Sequence, residues 1–132
     1  MDENNYRGRN FRFANLARAN LSRKNLSKSD LTCVDLDAAD LTEAVLEDAV
    51  LEGAVLSDAK LTSANFARAD LYMAFLYHAD FERAILKDAD HAWLRTINQA
   101  NGCKSQVPVF HKAISKVGFA SPASETSCSI NC

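Results

Sequence analysis

Every fifth residue from position 11 to position 86 is Leu or Phe, sixteen places in an unbroken register. Call that place i. At i−2, twelve of the sixteen residues are Ala, and at i−1 ten are Asn or Asp. The i+1 and i+2 places are mostly polar or charged. An α-helix does not fit this period: five residues advance it by about 500°, a net turn of about 140°, so the Leu positions would scatter around the cylinder. A single long strand fails as well, because an odd period sends successive Leu side chains to opposite faces. The chain must instead change direction every five residues. In a short extended piece, side chains two apart point the same way. Ala at i−2 and Leu at i then face inward, the Asn or Asp between them faces solvent or backbone, and i+1 and i+2 turn the corner. Units 14–18 (Ala-Asn-Leu-Ala-Arg) and 79–83 (Ala-Asp-Phe-Glu-Arg) show this plainly.

Stacking such turns buries a column of Leu and Phe and pairs backbone groups from one turn to the next. The repeat predicts an all-β solenoid over residues 1–90, and its small interior explains the preference for Ala. Its ends need covers. Arg9 stands where Ala belongs, and Tyr6, Phe11 and Phe13 are bulky, which predicts an irregular N-terminal cap. The register fails at His91. Trp93, Leu94, Ile97 and Ala100 have helical spacing ahead of Gly102, so residues 91–101 are expected to form a helix over the last turn. A second short helix is expected over 109–117, making 91–118 a helical cap region, and residues 119–132, rich in Ser, Thr and Cys, are expected to be a flexible tail.

The Ala-(Asp/Asn)-Leu-x-x pattern, repeated sixteen times, resembles the pentapeptide-repeat proteins over roughly residues 9–90. The period by itself leaves open how many units close one turn. The resemblance implies four, hence a right-handed quadrilateral β-helix of about four coils, with a rise near 4.8 Å per coil. It also implies that positions 20 apart stack. Lys28, Asp48, Arg68 and Asp88 then form a ladder of alternating charge, and Val55 lies directly under Phe75.

Composition narrows the function. The chain has 132 residues and a net charge of −2, and 48% of its residues are apolar. No apolar run approaches a membrane span, and the first residues lack the apolar core of a secretory signal, which favours the cytoplasm. With so small a net charge, DNA is not an expected ligand. Residues 1–28 carry seven Arg or Lys, whereas nine acidic residues and no basic one lie between Asp30 and Asp58. No phosphate-cradling loop, nucleophile elbow or zinc-protease helix is present, so no catalytic residue, cofactor or enzyme activity is expected. Cys103, His111, Cys128 and Cys132 are ligand types for zinc, but their irregular gaps assign no metal site. His78 falls at an outward corner and reads as a surface histidine.

Two features point to partners. Tyr72, Met73, Phe75 and Tyr77 fall at outward positions, with Val55 beneath, and clustered exposed aromatics mark protein interfaces or a homodimer contact. The apolar segment 107–119 is a second candidate to cover them. The tail supplies the other feature. Thr126, Ser127, Cys128, Ser129 and Cys132 are residues that a tail-modifying enzyme dehydrates, cross-links or oxidises, as in the precursor of a ribosomally made peptide whose folded part serves as leader. The expected role is therefore a non-catalytic protein-interaction scaffold, with a peptide precursor as one alternative. The other is the DNA-mimicking gyrase protection known among pentapeptide-repeat proteins.

Overall fold

The computed structural model of the chain describes residues 2–89. Its register is set by parallel bridges that all join residue n to n+20, from Asn5 with Asn25 to Asn65 with Ile85. Twenty residues therefore close one coil and four units form its four sides. Coil 1 comprises residues 9–28, coil 2 residues 29–48, coil 3 residues 49–68 and coil 4 residues 69–88. Each side is so short that its pairing is a single isolated bridge, and no extended strand forms among the described residues.

The unit 39–43 shows why five residues suffice. All five of its N–H groups have acceptors. Ala39 N–H donates to Leu36 O (3.0 Å), closing a turn; Asp40 N–H donates to Ala19 O (2.9 Å) in the coil before. Leu41 and Glu43 donate to Lys60 O (2.8 Å) and Thr62 O (2.9 Å) in the coil after. The remaining Thr42 N–H donates to the Asp40 side chain, Oδ1, at 3.0 Å. That last bond is the reason for Asn or Asp at i−1. All ten such residues of the repeat, from Asn10 to Asp80, accept the N–H two residues on. A short side chain with an oxygen on its γ-carbon reaches this donor, as in an Asx turn.

The corner is a tight turn whose third residue, at i+2, has positive φ while its second does not, the signature of type II. Gly8, Gly53 and fifteen non-glycine residues, from Phe13 (φ 59°) to Asp88 (φ 57°), take this left-handed conformation. Left-handed backbone costs an L-residue roughly 1–2 kcal/mol. The cost is offset at the corners from Gly8 to Arg68 because the i+2 N–H enters the ladder to the next coil, as Arg18 does to Asp37 O at 2.8 Å.

Inside, Leu at i and Ala at i−2 are almost wholly buried from Leu26 to Ala89. Phe66 and Phe81 pack inside the column, their ring centroids 5.9 Å apart. Ser29 takes an Ala place with no exposure because its hydroxyl donates to Leu26 O at 2.5 Å.

The expected irregular N-terminal cap is corrected. Residues 4–8 form one more regular unit: Tyr6 occupies the Leu place, donates to Asn25 O (2.7 Å) and lies under Leu26, and Gly8 has the corner's positive φ. Phe11, Leu16 and Leu21 remain only partly buried at this open end. Arg9, in an Ala place, lays its guanidinium over the Tyr6 ring at 5.4 Å. The helices expected over 91–101 and 109–117, and the tail over 119–132, lie outside the described residues.

Candidate interaction surface

Outward direction is fixed by the unit itself. With i−2 and i turned inward, the side chain at i−1 stands on the flat side and those at i+1 and i+2 stand on the corner. In coil 4 these places hold large apolar groups. Tyr72 (45% exposed) and Met73 (52%) share one corner, Phe75 (47%) stands on the side that follows, and Tyr77 (36%) is on the next corner. Half-buried Val55 bridges Phe75 from coil 3, so five sequence-selected residues form one continuous region. Asp70 fixes the start of it by accepting the Tyr72 N–H at 2.9 Å. Tyr77 stacks on His78, with centroids 3.8 Å apart, and His78 Nδ1 is 3.4 Å from Asp58 Oδ1. The surface histidine is therefore tied to its neighbours on two sides.

Val50 (37% exposed), on the side where Asp70 stacks above it, borders this region and escapes a search for aromatics. Its signal is an i−1 place without Asn or Asp. Ile85 (45%) has the same signal but stands on the opposite side of the coil from Phe75.

Charge accompanies the apolar groups. The column positions place Glu52 beneath Tyr72, Asp35 beneath Val55, and Asp37 two coils below Tyr77. None of these three acids makes an ion pair among the described residues. Ion pairs among the described residues fall on Asp30, Glu43, Glu47, Asp48 and Asp58 instead. Arg68 grips Asp48 with two bonds, Nε to Oδ1 at 2.8 Å and Nη2 to Oδ2 at 3.2 Å, and also reaches Glu47. Those bonds hold the Asp48 carboxyl below its ordinary range, with Lys28 adding to the effect, and push the Arg68 guanidinium up. The alternating ladder thus exists at its Lys28, Asp48 and Arg68 rungs. Asp30 is lowered mainly by the Thr32 hydroxyl, which donates to Oδ1 at 2.6 Å, with the Thr32 N–H and Arg12 helping. Asp40 is lowered mainly by Thr42.

A second concave region lies at the N-terminal end, an open cavity of about 430 Å³ lined by Asp2, Glu3, Asn5, Tyr6, Arg9 and Lys24. Its cations are already engaged: Lys24 Nζ donates to Asn4 Oδ1 at 2.7 Å and lies over Tyr6, as Arg9 does. Among the described residues no group of three or more His, Cys, Asp or Glu side chains is placed to share a metal ion. Thr126, Ser127, Cys128, Ser129 and Cys132 lie outside the described residues.

Comparison with known proteins agrees with this geometry. The family model for pentapeptide repeats matches in eight copies over residues 10–48, 39–74 and 49–88, more than half of the chain. The fold of that family is the right-handed quadrilateral β-helix. Among solved structures, the chain is similar to a pentapeptide-repeat protein of the Arabidopsis thaliana thylakoid lumen. The two are 23% identical, over 71% of this chain and 77% of that one, with a TM-score of 0.46. It is also similar to HetL of Nostoc sp. strain PCC 7120, a protein involved in heterocyst differentiation regulation: 29% identity, 65% and 59% coverage, TM-score 0.41. A third is QnrB1, a plasmid-mediated fluoroquinolone resistance protein, at 18% identity, 62% and 51% coverage, and a TM-score of 0.34. No curated protein matches the chain.

Proposed function

Because the chain belongs to the pentapeptide-repeat family, we propose that it is a non-catalytic scaffold, acting in the cytoplasm, whose coil 4 binds a protein partner. The observation that carries this reading is the concentration of exposed Tyr72, Met73, Phe75 and Tyr77 in one coil of a solenoid whose other sides are largely polar. Aromatic side chains such as Tyr give a large contact area with few rotamers to freeze, which is why they are enriched at binding hot spots, and Met adds an adaptable apolar surface. Rigid coils hold them in place at no further ordering cost. The acids Asp35, Asp37 and Glu52 below them favour a partner segment that is apolar and basic.

The test is a photo-crosslinking amino acid in place of Tyr72, in the native host. The expected outcome is a defined crosslink to another polypeptide that disappears in the Phe75→Asp and Tyr77→Asp variants, both folded by circular dichroism. A crosslink that survives both substitutions would remove the surface from consideration.

The residues Thr126, Ser127, Cys128, Ser129 and Cys132 favour a second reading, a peptide precursor in which the β-helix is the handle for a modifying enzyme. The intact mass of protein from its native host, with fragmentation of residues 119–132, decides it: water losses or thioether links confined to that stretch support it, and an unaltered mass ends it. Gyrase protection by DNA mimicry asks for an acidic face along the stack. Here Lys28, Lys60 and Arg68 interrupt the acidic columns. Supercoiling by gyrase with a fluoroquinolone, unprotected at molar excess of this protein, would exclude it.

A further inference from the structure

The apolar region of coil 4 belongs to an end of the solenoid rather than to a face. Following each column downward, Tyr72 stands over Glu52 and Thr32, Met73 over Gly53 and Cys33, and Tyr77 over Ser57 and Asp37. In coils 2 and 3 each column is polar or small, and in coil 1 the Met73 column ends on exposed Phe13. A binding face evolved for a partner lying along the stack would continue down it, as only the Phe75 and Val55 column does. Something that joins the solenoid at coil 4 is the better fit. The chain itself supplies such a segment, since residues 90–132 follow coil 4 in the sequence.

The sequence that follows matches the region in both apolar and ionic character. Residues 107–119 carry Val107, Val109, Phe110, Ile114, Val117 and Phe119, with Lys112 and Lys116 as their only charges apart from His111. From 91 to 124 there is no acidic residue. Against this stand Asp35, Asp37 and Glu52, in the columns under the aromatics and without ion pairs among the described residues. Reach is ample, since the residues between 89 and 107 span up to about 55–60 Å when extended.

We propose that residues 107–119 dock in cis on the surface formed by Tyr72, Met73, Phe75 and Tyr77, with Lys112 and Lys116 facing the acids below. This rests on the reading of coil 4 as a binding surface and names its first occupant: a partner protein binds there by displacing the chain's own segment. Intramolecular docking of this kind works at the high effective concentration of a short tether, so weak contacts suffice to hold it and a stronger ligand suffices to release it.

Hydroxyl-radical footprinting of the full chain, at a concentration where light scattering shows a monomer, tests the proposal. Phe13 (69% exposed) is the open reference and Phe66 (0%) the closed one. The expected result is that Met73, Phe75 and Tyr72 react at least about threefold more slowly than their exposures alone would give, scaled to Phe13. The double substitution Phe110→Asp with Ile114→Asp, outside the Leu column, restores the faster rates. Lys112→Gln with Lys116→Gln, which keeps the apolar contacts and removes the charges, restores them in part and makes the remaining protection insensitive to salt. Open rates in the unaltered chain overturn the proposal, as does protection indifferent to the 110/114 substitutions. Protection lost on dilution assigns the surface to a second copy and overturns it too. Each of these failures leaves the partner reading standing, because that is decided separately by the Phe75→Asp crosslinking result.

Discussion

At the residue scale, the corners and the i−1 places carry the most information. Gly53 combines a φ of +66° with a tight spot, since a Cβ there would lie 3.1 Å from Cys33 Sγ. Gly53→Ala should therefore destabilise by roughly 1–2 kcal/mol from the left-handed backbone, plus a packing component. Urea midpoints would show it, and adding Cys33→Ala should recover the packing part and leave the backbone part. A second prediction concerns acid. Asp30 and Asp40 are both lowered in the folded chain, so their contribution to stability is complete above the unfolded value of about 3.9 and is lost as pH falls through the lowered folded values. Thr32→Val removes the leading cause for Asp30. Its titration, followed by NMR, should move up toward the ordinary range, and stability should become less steeply dependent on pH below about 4. The left-handed corners were not legible in the sequence. Arg, Lys, Glu and Met there carry no preference for positive φ, and the conformation is imposed by the ladder bonds on either side.

At the scale of the five-residue unit, the hydrogen-bond pattern separates corners that tolerate proline from those that do not. Ser57 is the second residue of its turn, and Val55 supplies no side-chain acceptor for its N–H. Thr42 occupies the same place, but its N–H is bonded to Asp40. A type II turn holds this residue near the φ of proline. Ser57→Pro should be neutral or stabilise by about 0.5 kcal/mol, whereas Thr42→Pro should cost about 1 kcal/mol through the lost bond. Thermal melts of the two variants compare them directly. The unit also predicts the size of core losses. Leu56 has no exposure, and the coils above and below are fixed by backbone ladders that cannot close on a void. Leu56→Ala should cost about 3–5 kcal/mol, the upper part of the usual range. The role of Leu and Ala was fully legible from their period. The specific job of Asn and Asp was half legible: an outward residue was evident, but the bond to the N–H two residues on needs the turn geometry to exist.

At the scale of the whole molecule, the solenoid should open from its ends. The N–H groups of Asn10, Asn15 and Asn20 have no backbone acceptor in a preceding coil among the described residues, whereas Asp40 and Lys60 donate to Ala19 and Ala39. Native-state hydrogen exchange should find the first three unprotected and the amides of coils 2 and 3 the slowest, because each interior coil has neighbours on both sides. Uniform protection from Asn10 to Lys60 would contradict a stack held by nearest-neighbour contacts. The aromatic surface was legible residue by residue because its members break the polar rule at outward places. Its concentration in one coil was not, since that depends on how many units close a turn. The sequence by itself determined the unit and its inward and outward places, because a period of five admits one alternation of buried and exposed side chains. Only the tertiary structure decided that four units close a coil, that residues 4–8 are a regular turn, and that seventeen corners are left-handed. Those depend on which backbone groups meet across twenty residues, a distance at which no local preference acts.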